Sequence, residues 1–269
     1  MTLVALYSGA LVGVILALTG AGGGILAVPA LTLGLGFTMV QASPIALLTV
    51  ASAAATGMMG GLLKGYVRVR AALLISAVGI LVAPFGQRLA HVLPERGLIG
   101  LFACIMLIVA ARLFLTAARR ASGGGAATTS RSKTCVINTK TGRIDWNVEA
   151  FLKLSLIGVI SGMATGLLGV GGGFIVVPAL LRCSNISMNG IVATSLMVIT
   201  LISGGAVITA FMAGHLEVSR LSLLFIGGAV GGMLLGRQFA EVIPAARLQQ
   251  TFAILVTGVA LALFHKMMS

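Results

Sequence analysis

The feature of this sequence that most restricts its fold is a succession of apolar runs separated by short polar gaps. The first half contains runs at 3–19, 25–37, 43–63, 71–90 and 97–118, and the second half at 151–168, 174–182, 190–213, 219–240 and 247–265. A membrane-spanning helix needs about 20 apolar residues, and within lipid the backbone must satisfy its own hydrogen bonds. The pattern therefore predicts an all-α polytopic membrane protein with about 8–10 hydrophobic helical segments.

The low content and the placement of charged residues support a membrane protein and exclude other classes of protein. Only 9% of the residues are charged, whereas soluble domains carry about 25%, so a soluble enzyme, a disulfide scaffold and a disordered chain are excluded. The net charge is +13, but the basic residues lie in gaps between apolar runs, as in cytoplasmic loops. We therefore expect a lipid bilayer, and no nucleic acid, around this chain.

One polar segment, 119–150, separates a first membrane repeat, 1–118, from a second membrane repeat, 151–269. Its glycine- and serine-rich part is typical of flexible linkers. Its excess of basic residues predicts a hydrophilic linker on the cytoplasmic side of the membrane. Within it, CVINTKTGRIDW at 135–146 alternates enough to predict a small β-hairpin.

The two halves are copies of one another. LTGAGGGILAVPAL at 18–31 aligns with LLGVGGGFIVVPAL at 167–180 without a gap, at an offset of 149 residues. Two further pairs follow in the same order, GYVRVRAALL with GHLEVSRLSL and GQRLAHVLP with GRQFAEVIP. Internal repeats in a membrane protein are typical of transporters, whose sites lie near the midplane between the repeats.

The repeated glycine-proline motif is the first candidate site. It consists of Gly20, Gly22, Gly23, Gly24 and Pro29 in the first copy, and of Gly169, Gly171, Gly172, Gly173 and Pro178 in the second. Consecutive glycines and a proline break a helix, and broken backbone at membrane depth persists only where protein buries it or a wet cavity adjoins it. A helix restarting there directs N–H groups and its positive dipole end at an anion. The alternative is that the glycines only permit close helix crossing.

These paired motifs, joined by a basic linker, resemble the TauE/SafE family of sulfite exporters over essentially the whole chain. The resemblance implies a multi-pass permease of the bacterial plasma membrane. It further implies a small anionic substrate such as sulfite or an organosulfonate, and it does not identify which anion.

Three hydroxyl residues near the motif complete the predicted substrate-binding set. Ser43 precedes Pro44, and Thr194 and Ser195 fill the corresponding helix start in the second copy if the register slips locally by two residues. Hydroxyls can donate to sulfonate oxygens and are cheaper to bury than charges. The alternative is ordinary hydrogen bonding within and between helices.

The distribution of ionisable residues restricts the mechanism. All five acids, Glu95, Asp145, Glu149, Glu217 and Glu241, lie at span ends or in the linker. A midplane carboxylate relay is therefore not expected, and no nucleophile–base pair, metal ligand set or cofactor motif indicates an enzyme. The sequence predicts a secondary transporter of small anions. An anion channel and a membrane-embedded protein without transport activity remain as alternatives.

Topology stays open at this level. Four spans per half would make the repeats parallel and divide the 18 Lys and Arg residues 13 to 5 between the two sides, whereas an odd number would invert them and divide these residues 14 to 4. The uncharged N-terminus favours inversion, which would bring the two glycine breaks together from opposite leaflets. The oligomeric state is not predicted.

Overall fold

The computed structural model describes residues 2–20, 23–121, 148–184, 188–214, 219–239 and 245–268. Its ten α-helices are α1 Thr2–Thr19, α2 Gly23–Pro29, α3 Met39–Leu63, α4 Val69–Val92, α5 Glu95–Ala121, α6 Val148–Leu168, α7 Gly173–Cys183, α8 Met188–Met212, α9 Arg220–Phe239 and α10 Ala245–Met268. A π-helical turn, Ala30–Gly34, extends α2. The predicted all-α polytopic membrane fold is confirmed. The hairpin predicted at 135–146 lies outside the described residues.

Length and composition explain which helices can span a bilayer. Six of the described helices, α1, α3, α4, α6, α8 and α9, are long and apolar enough to do so. Large apolar side chains point away from the bundle, among them Tyr7 at 69%, Leu81 at 72% and Phe211 at 69% exposure. In water such a surface would be costly, so these side chains form the lipid-facing boundary.

Glycines set the packing of the two most extensive helix pairs. In the α1–α9 pair, the backbones touch at Gly228 with Leu6, Gly232 with Ala10, and Gly236 with Val14. In the α4–α6 pair, they touch at Gly158 with Ile75, Gly162 with Gly79, and Gly166 with Ala83. Small residues spaced four apart on one helix face allow this close approach of helices in membranes. Since the numbers rise together in both pairs, α1 runs parallel to α9, and α4 runs parallel to α6.

The centre of the bundle is the α3–α8 pair. Gly57 lies against Leu196 and Gly61 against Ala193, so these two helices are antiparallel. Gly57 also contacts Met233 while Gly60 contacts Arg237, so α9 is parallel to α3. On the other side of the pair, α8 runs parallel to α4, because Gly79 contacts Ile202 while Gly205 contacts Ile80. Thus α1, α3 and α9 run one way, and α4, α6 and α8 run the other.

We call the end of the bundle at which α3 ends and α4 and α6 begin the linker face. The opposite end, at which α1 begins, is the terminal face. The two halves make equivalent contacts with one another, a property that we call reciprocity. Helix α1 packs on α9 as α6 packs on α4, and α3 packs on α9 as α8 packs on α4. Among the described residues, α10 departs from this reciprocity because it touches α2.

The helix bounds correct one expectation from the sequence. Helices α3 and α8 both have 25 residues and begin at positions that differ by the motif's own offset. The two-residue slip that would align Ser43 with Thr194 and Ser195 is therefore wrong. The structural equivalent of Ser43 is Val192, since Ser43 lies against Gly169 and Val192 lies against Gly20.

Candidate functional site

Both glycine motifs interrupt the helices as predicted. Gly20 follows α1 with a φ of +69°, and Gly169, Gly171 and Gly172 separate α6 from α7 with φ values of +72°, +78° and +66°. These backbone conformations disfavour any residue with a Cβ. After each break the chain turns back into a short helix, α2 or α7, instead of continuing across the membrane. Gly22 lies outside the described residues.

The two breaks meet in the middle of the bundle. Gly24 lies against the carbonyl oxygen of Val170, between the glycines of the second motif. The Val50 side chain touches both breaks, since it lies beside Gly24 and Gly171. Val50 is near the midpoint of α3, Met39–Leu63. The sequence expectation that the breaks approach one another at the interface of the two halves therefore agrees with this geometry.

Each break rests on the first turns of the central helix of the other half. The Oγ of Ser195 is 2.8 Å from the carbonyl oxygen of Gly20 and 2.8 Å from that of Val192, and can donate to either. On the opposite side, Gly169 is so close to Ser43 that an added Cβ would come within 2.7 Å of the Ser43 Cα. Ser43 and Ser195 are therefore both brought to the glycine motifs.

Three other predicted residues have different surroundings. Thr194 is fully buried, and its hydroxyl donates to the Gly190 carbonyl at 2.6 Å and accepts from the Arg68 backbone N–H at 3.0 Å. Its hydrogen bonds thus attach the turn between α3 and α4 to α8. Pro29 is buried within α2, whereas Pro178 lies on an exposed part of α7.

The start of α7 is lined by hydroxyls that the predicted set did not include. Gly172, the residue before α7, has no side chain with which to cap that helix. The Ser161 Oγ donates to its carbonyl oxygen at 3.2 Å, and an added Cβ on Gly172 would lie 2.8 Å from the Thr165 Oγ1. Next to Gly171 lies the Oγ of Ser203, which is fully buried and has no hydrogen-bond partner among the described residues.

The sequence offers Ser203 as one of several polar residues near the motif, but the repeats do not single it out, because its equivalent in the first half is Ala54. The available signal was a serine in an otherwise apolar stretch of α8. Burying a hydroxyl without a partner costs free energy. An unpartnered hydroxyl beside the broken backbone is therefore a candidate contact for a polar ligand.

A cavity of about 390 Å³ opens between α3, α4, α6 and α8 at the terminal face. Its polar lining residues are Ser43, Gln87, Arg88, His91 and Thr209. Inside it, the Thr209 hydroxyl donates to Gln87 Oε1 at 2.8 Å, and Gln87 Nε2 donates to the Ala206 carbonyl at 2.8 Å.

Ser43 connects this cavity to the Gly169 break, because it lines the cavity and touches that glycine. Among the described residues, the cavity lining contains an arginine and a histidine but no carboxylate. The nearby Glu95 accepts a hydrogen bond from the Met39 N–H at 3.2 Å, at the start of α3. The described residues contain no group of three or more His, Cys, Asp or Glu side chains that could hold a metal ion.

A helical bundle with an apolar outer surface, broken helices at its centre and a cavity leading to them is the architecture of a membrane transporter. The chain belongs to the sulfite exporter TauE/SafE family, whose model matches residues 5–263. The sequence resemblance to this family is thereby confirmed.

Relatives agree with the class. The chain is 29% identical to a protein of Xylella fastidiosa strain Temecula1, named "Probable membrane transporter protein", over 96% of this chain and 93% of that protein. It is 28% identical to a protein with the same name from Xylella fastidiosa strain 9a5c, with the same coverage. A "Probable membrane transporter protein MamO" of Paramagnetospirillum magneticum matches at 28% identity over 42% of this chain and 19% of that protein. No solved structure matches the chain.

Proposed function

We propose that this membrane transporter is a secondary transporter of small oxyanions, with sulfite and organosulfonates as the expected substrates. The observation that carries the proposal is the cavity that leads from the terminal face to Ser43 and the Gly169 break. Arg88 and His91 at its wall favour anions. Beside the Gly169–Gly172 break, the described side chains are hydroxyls and apolar groups, and none of these described side chains carries a full positive charge.

We further propose that the halves are inverted repeats and that the linker is cytoplasmic. The support is that equivalent helices run in opposite directions, α1 against α6, α3 against α8 and α4 against α9. In this arrangement four basic residues belong to the terminal side, Arg88, Arg96, Arg220 and Lys266, leaving the other 14 of the 18 on the linker side. The excess of basic residues on the linker side favours its orientation towards the cytoplasm.

In the part of the chain that the structure describes, the cavity opens at the terminal face, which supports alternating access. The positions equivalent to its wall at the linker face are in contact, since a Cβ on Gly61 would lie 2.8 Å from the Ala193 Cβ. In an inverted-repeat transporter the opposite state arises when the two repeats exchange roles around a fixed site. The described state is then the one that is open to the terminal face.

A ligand screen tests the function. Purified full-length protein should be stabilised against thermal unfolding by sulfite, sulfate, thiosulfate or alkanesulfonates, and not by choline. Without a deep positive charge, we expect a dissociation constant on the order of micromolar to millimolar. In proteoliposomes, uptake of the best stabilising anion should be saturable and competed by its analogues. Non-saturable flux would indicate the anion channel instead.

A pair of arginines provides the matched control. Arg88 lines the cavity, whereas Arg220 is exposed at the start of α9 and is not among the cavity-lining residues. Arg88→Gln should weaken the anion-dependent stabilisation, and Arg220→Gln should leave it unchanged. Stabilisation by choline, or equal stabilisation of wild type and Arg88→Gln by the oxyanions, would contradict the proposed anion path.

A further inference from the structure

Arg237 is the basic side chain that reaches from α9 into the central helices. Its Nη1 donates to the carbonyl oxygen of Gly57 in α3. The guanidinium lies on Gly60, where an added Cβ would come within 2.8 Å of its Cζ and 2.9 Å of its Nη2. Although Arg237 lies near the end of α9, its side chain therefore takes part in the packing of the central helices.

Arg237 is the structural equivalent of Gln87, which lines the cavity. Gly86 packs on Gly166 of α6, and Gly236 packs on Ala17 of α1, so the residues that follow these two glycines correspond. Gln87 donates to the Ala206 carbonyl of α8, and Ala206 occupies in α8 the place that Gly57 has in α3. Each half thus makes the same hydrogen bond to the central helix of the other half.

The residue beside each of these two hydrogen bonds differs in size, in the opposite sense to the side chain that donates. Thr209 stands beside Gln87 and donates to it, whereas its equivalent beside Arg237 is Gly60. The missing side chain at Gly60 provides the space that the larger guanidinium fills. The Gln87–Thr209 pair lies at the wall of an open cavity, and the Arg237–Gly60 pair lies at the closed linker face.

We propose that Arg237 is the gate residue of the linker face: its guanidinium closes the counterpart of the described cavity by binding the Gly57 carbonyl and covering Gly60. This inference rests on the proposed alternation between the two faces. Opening requires the guanidinium to leave the carbonyl. A cavity that opened there would have this positive charge at its wall, as Arg88 stands at the wall of the other one.

Cysteine accessibility at two equivalent positions tests the gate without a known substrate. Ser43 and Val192 are replaced singly by cysteine in a chain whose Cys104, Cys135 and Cys183 are alanine. The full-length proteins are labelled with a membrane-impermeant maleimide from the terminal face and the linker face, respectively. In the starting chain, Ser43→Cys should react faster, because Ser43 lines the open cavity and Val192 is not among the residues that line it.

Arg237→Gln should raise the labelling rate of Val192→Cys about tenfold, because the shorter glutamine replaces a charged hydrogen bond to the Gly57 carbonyl with at most a neutral one and leaves Gly60 uncovered. It should lower the labelling rate of Ser43→Cys, because opening of one face closes the other. The control Arg220→Gln, at the other end of the same helix, should change neither rate.

Two outcomes would overturn the gate. An unchanged Val192→Cys rate in the Arg237→Gln protein would show that the guanidinium does not hold the face closed. An increase at both cysteines would show that the substitution merely loosens the bundle. Failure of the transport proposal would give a different result. No oxyanion would then stabilise the protein or be taken up, but the two cysteines would still change their labelling rates in opposite directions.

Discussion

At the residue scale, the hydroxyls of the site fall into two classes that the sequence could not separate. Ser43 faces the cavity, whereas the Thr194 hydroxyl already donates to the Gly190 carbonyl and accepts from the Arg68 N–H. Ser43→Ala should therefore weaken oxyanion binding by roughly 1–3 kcal/mol, as measured by calorimetry with the best anion of the screen. Thr194→Ala should leave affinity unchanged and lower the thermal midpoint, because it removes a partner of the turn between α3 and α4. The reverse result would assign the binding role to Thr194.

Ser203 carries a second prediction at this scale. Its buried hydroxyl has no partner among the described residues and lies beside Gly171, so a ligand that reaches the break could accept its hydrogen bond. We expect Ser203→Ala to weaken oxyanion affinity without loss of thermal stability, since no protein hydrogen bond is broken. Ser76→Ala, at a buried hydroxyl of α4 that likewise lacks a described partner, is the control and should leave affinity unchanged. Equal affinities of wild type and Ser203→Ala would remove Ser203 from the site.

Individual glycines were predictable, but the partners they meet were not. The repeated motif identified Gly20 and Gly169 because a run of glycines and a proline recur at one offset. The role of Arg237 depends on which helix of the other half faces it, and the role of Ser203 depends on how α8 packs against the Gly171 break of its own half. A single sequence carries no signal for either contact. For the same reason Ser43 was matched with Thr194 and Ser195 by residue type, although packing matches it with Val192.

At the element scale, the α1–α9 contact should be sensitive to a single methyl group. A Cβ on Gly232 would lie 2.8 Å from the Ala10 carbonyl carbon, whereas a Cβ on the adjacent Gly231 meets nothing within 4 Å. Gly232→Ala should cost about 1–3 kcal/mol of stability through overpacking. Gly231→Ala should be neutral or slightly stabilising, because alanine favours the helix by up to about 1 kcal/mol. Thermal unfolding of the two purified variants measures the difference, and equal midpoints would show that this helix contact is not tight.

The same scale shows where identical motifs fold differently. Both short helices follow a glycine break, yet α2 is buried and ends in a π-helical turn while Pro178 of α7 is exposed. The α10 helix touches α2, and this coverage is decided by packing between distant parts of the chain. The sequence therefore predicted the two broken helices but not the difference between them.

At the scale of the whole molecule, the linker is expected to be dispensable for the bundle. The contacts that hold the two halves together are made between helices, above all in the pairs α1–α9, α4–α6, α3–α8 and α5–α10. Deletion of 122–130, the SGGGAATTS stretch, should leave the thermal midpoint nearly unchanged, because loop-closure entropy changes slowly with length. Gel filtration and thermal unfolding of the deletion protein measure this. A large loss of folded protein would assign the stretch a structural role.

The side of the membrane on which the C-terminus lies distinguishes parallel from inverted repeats, the two arrangements that the sequence left open. Parallel repeats of four spans would place the C-terminus on the same side as the linker, whereas inverted repeats place it on the opposite side. Because equivalent helices run antiparallel, we expect alkaline phosphatase fused after Ser269 to be active in the periplasm, and green fluorescent protein at the same position to be dark. Fusions within the linker should show the opposite pattern, since both arrangements keep its basic residues in the cytoplasm. A fluorescent C-terminal fusion would contradict the inverted arrangement, and with it the gate that Arg237 is proposed to form.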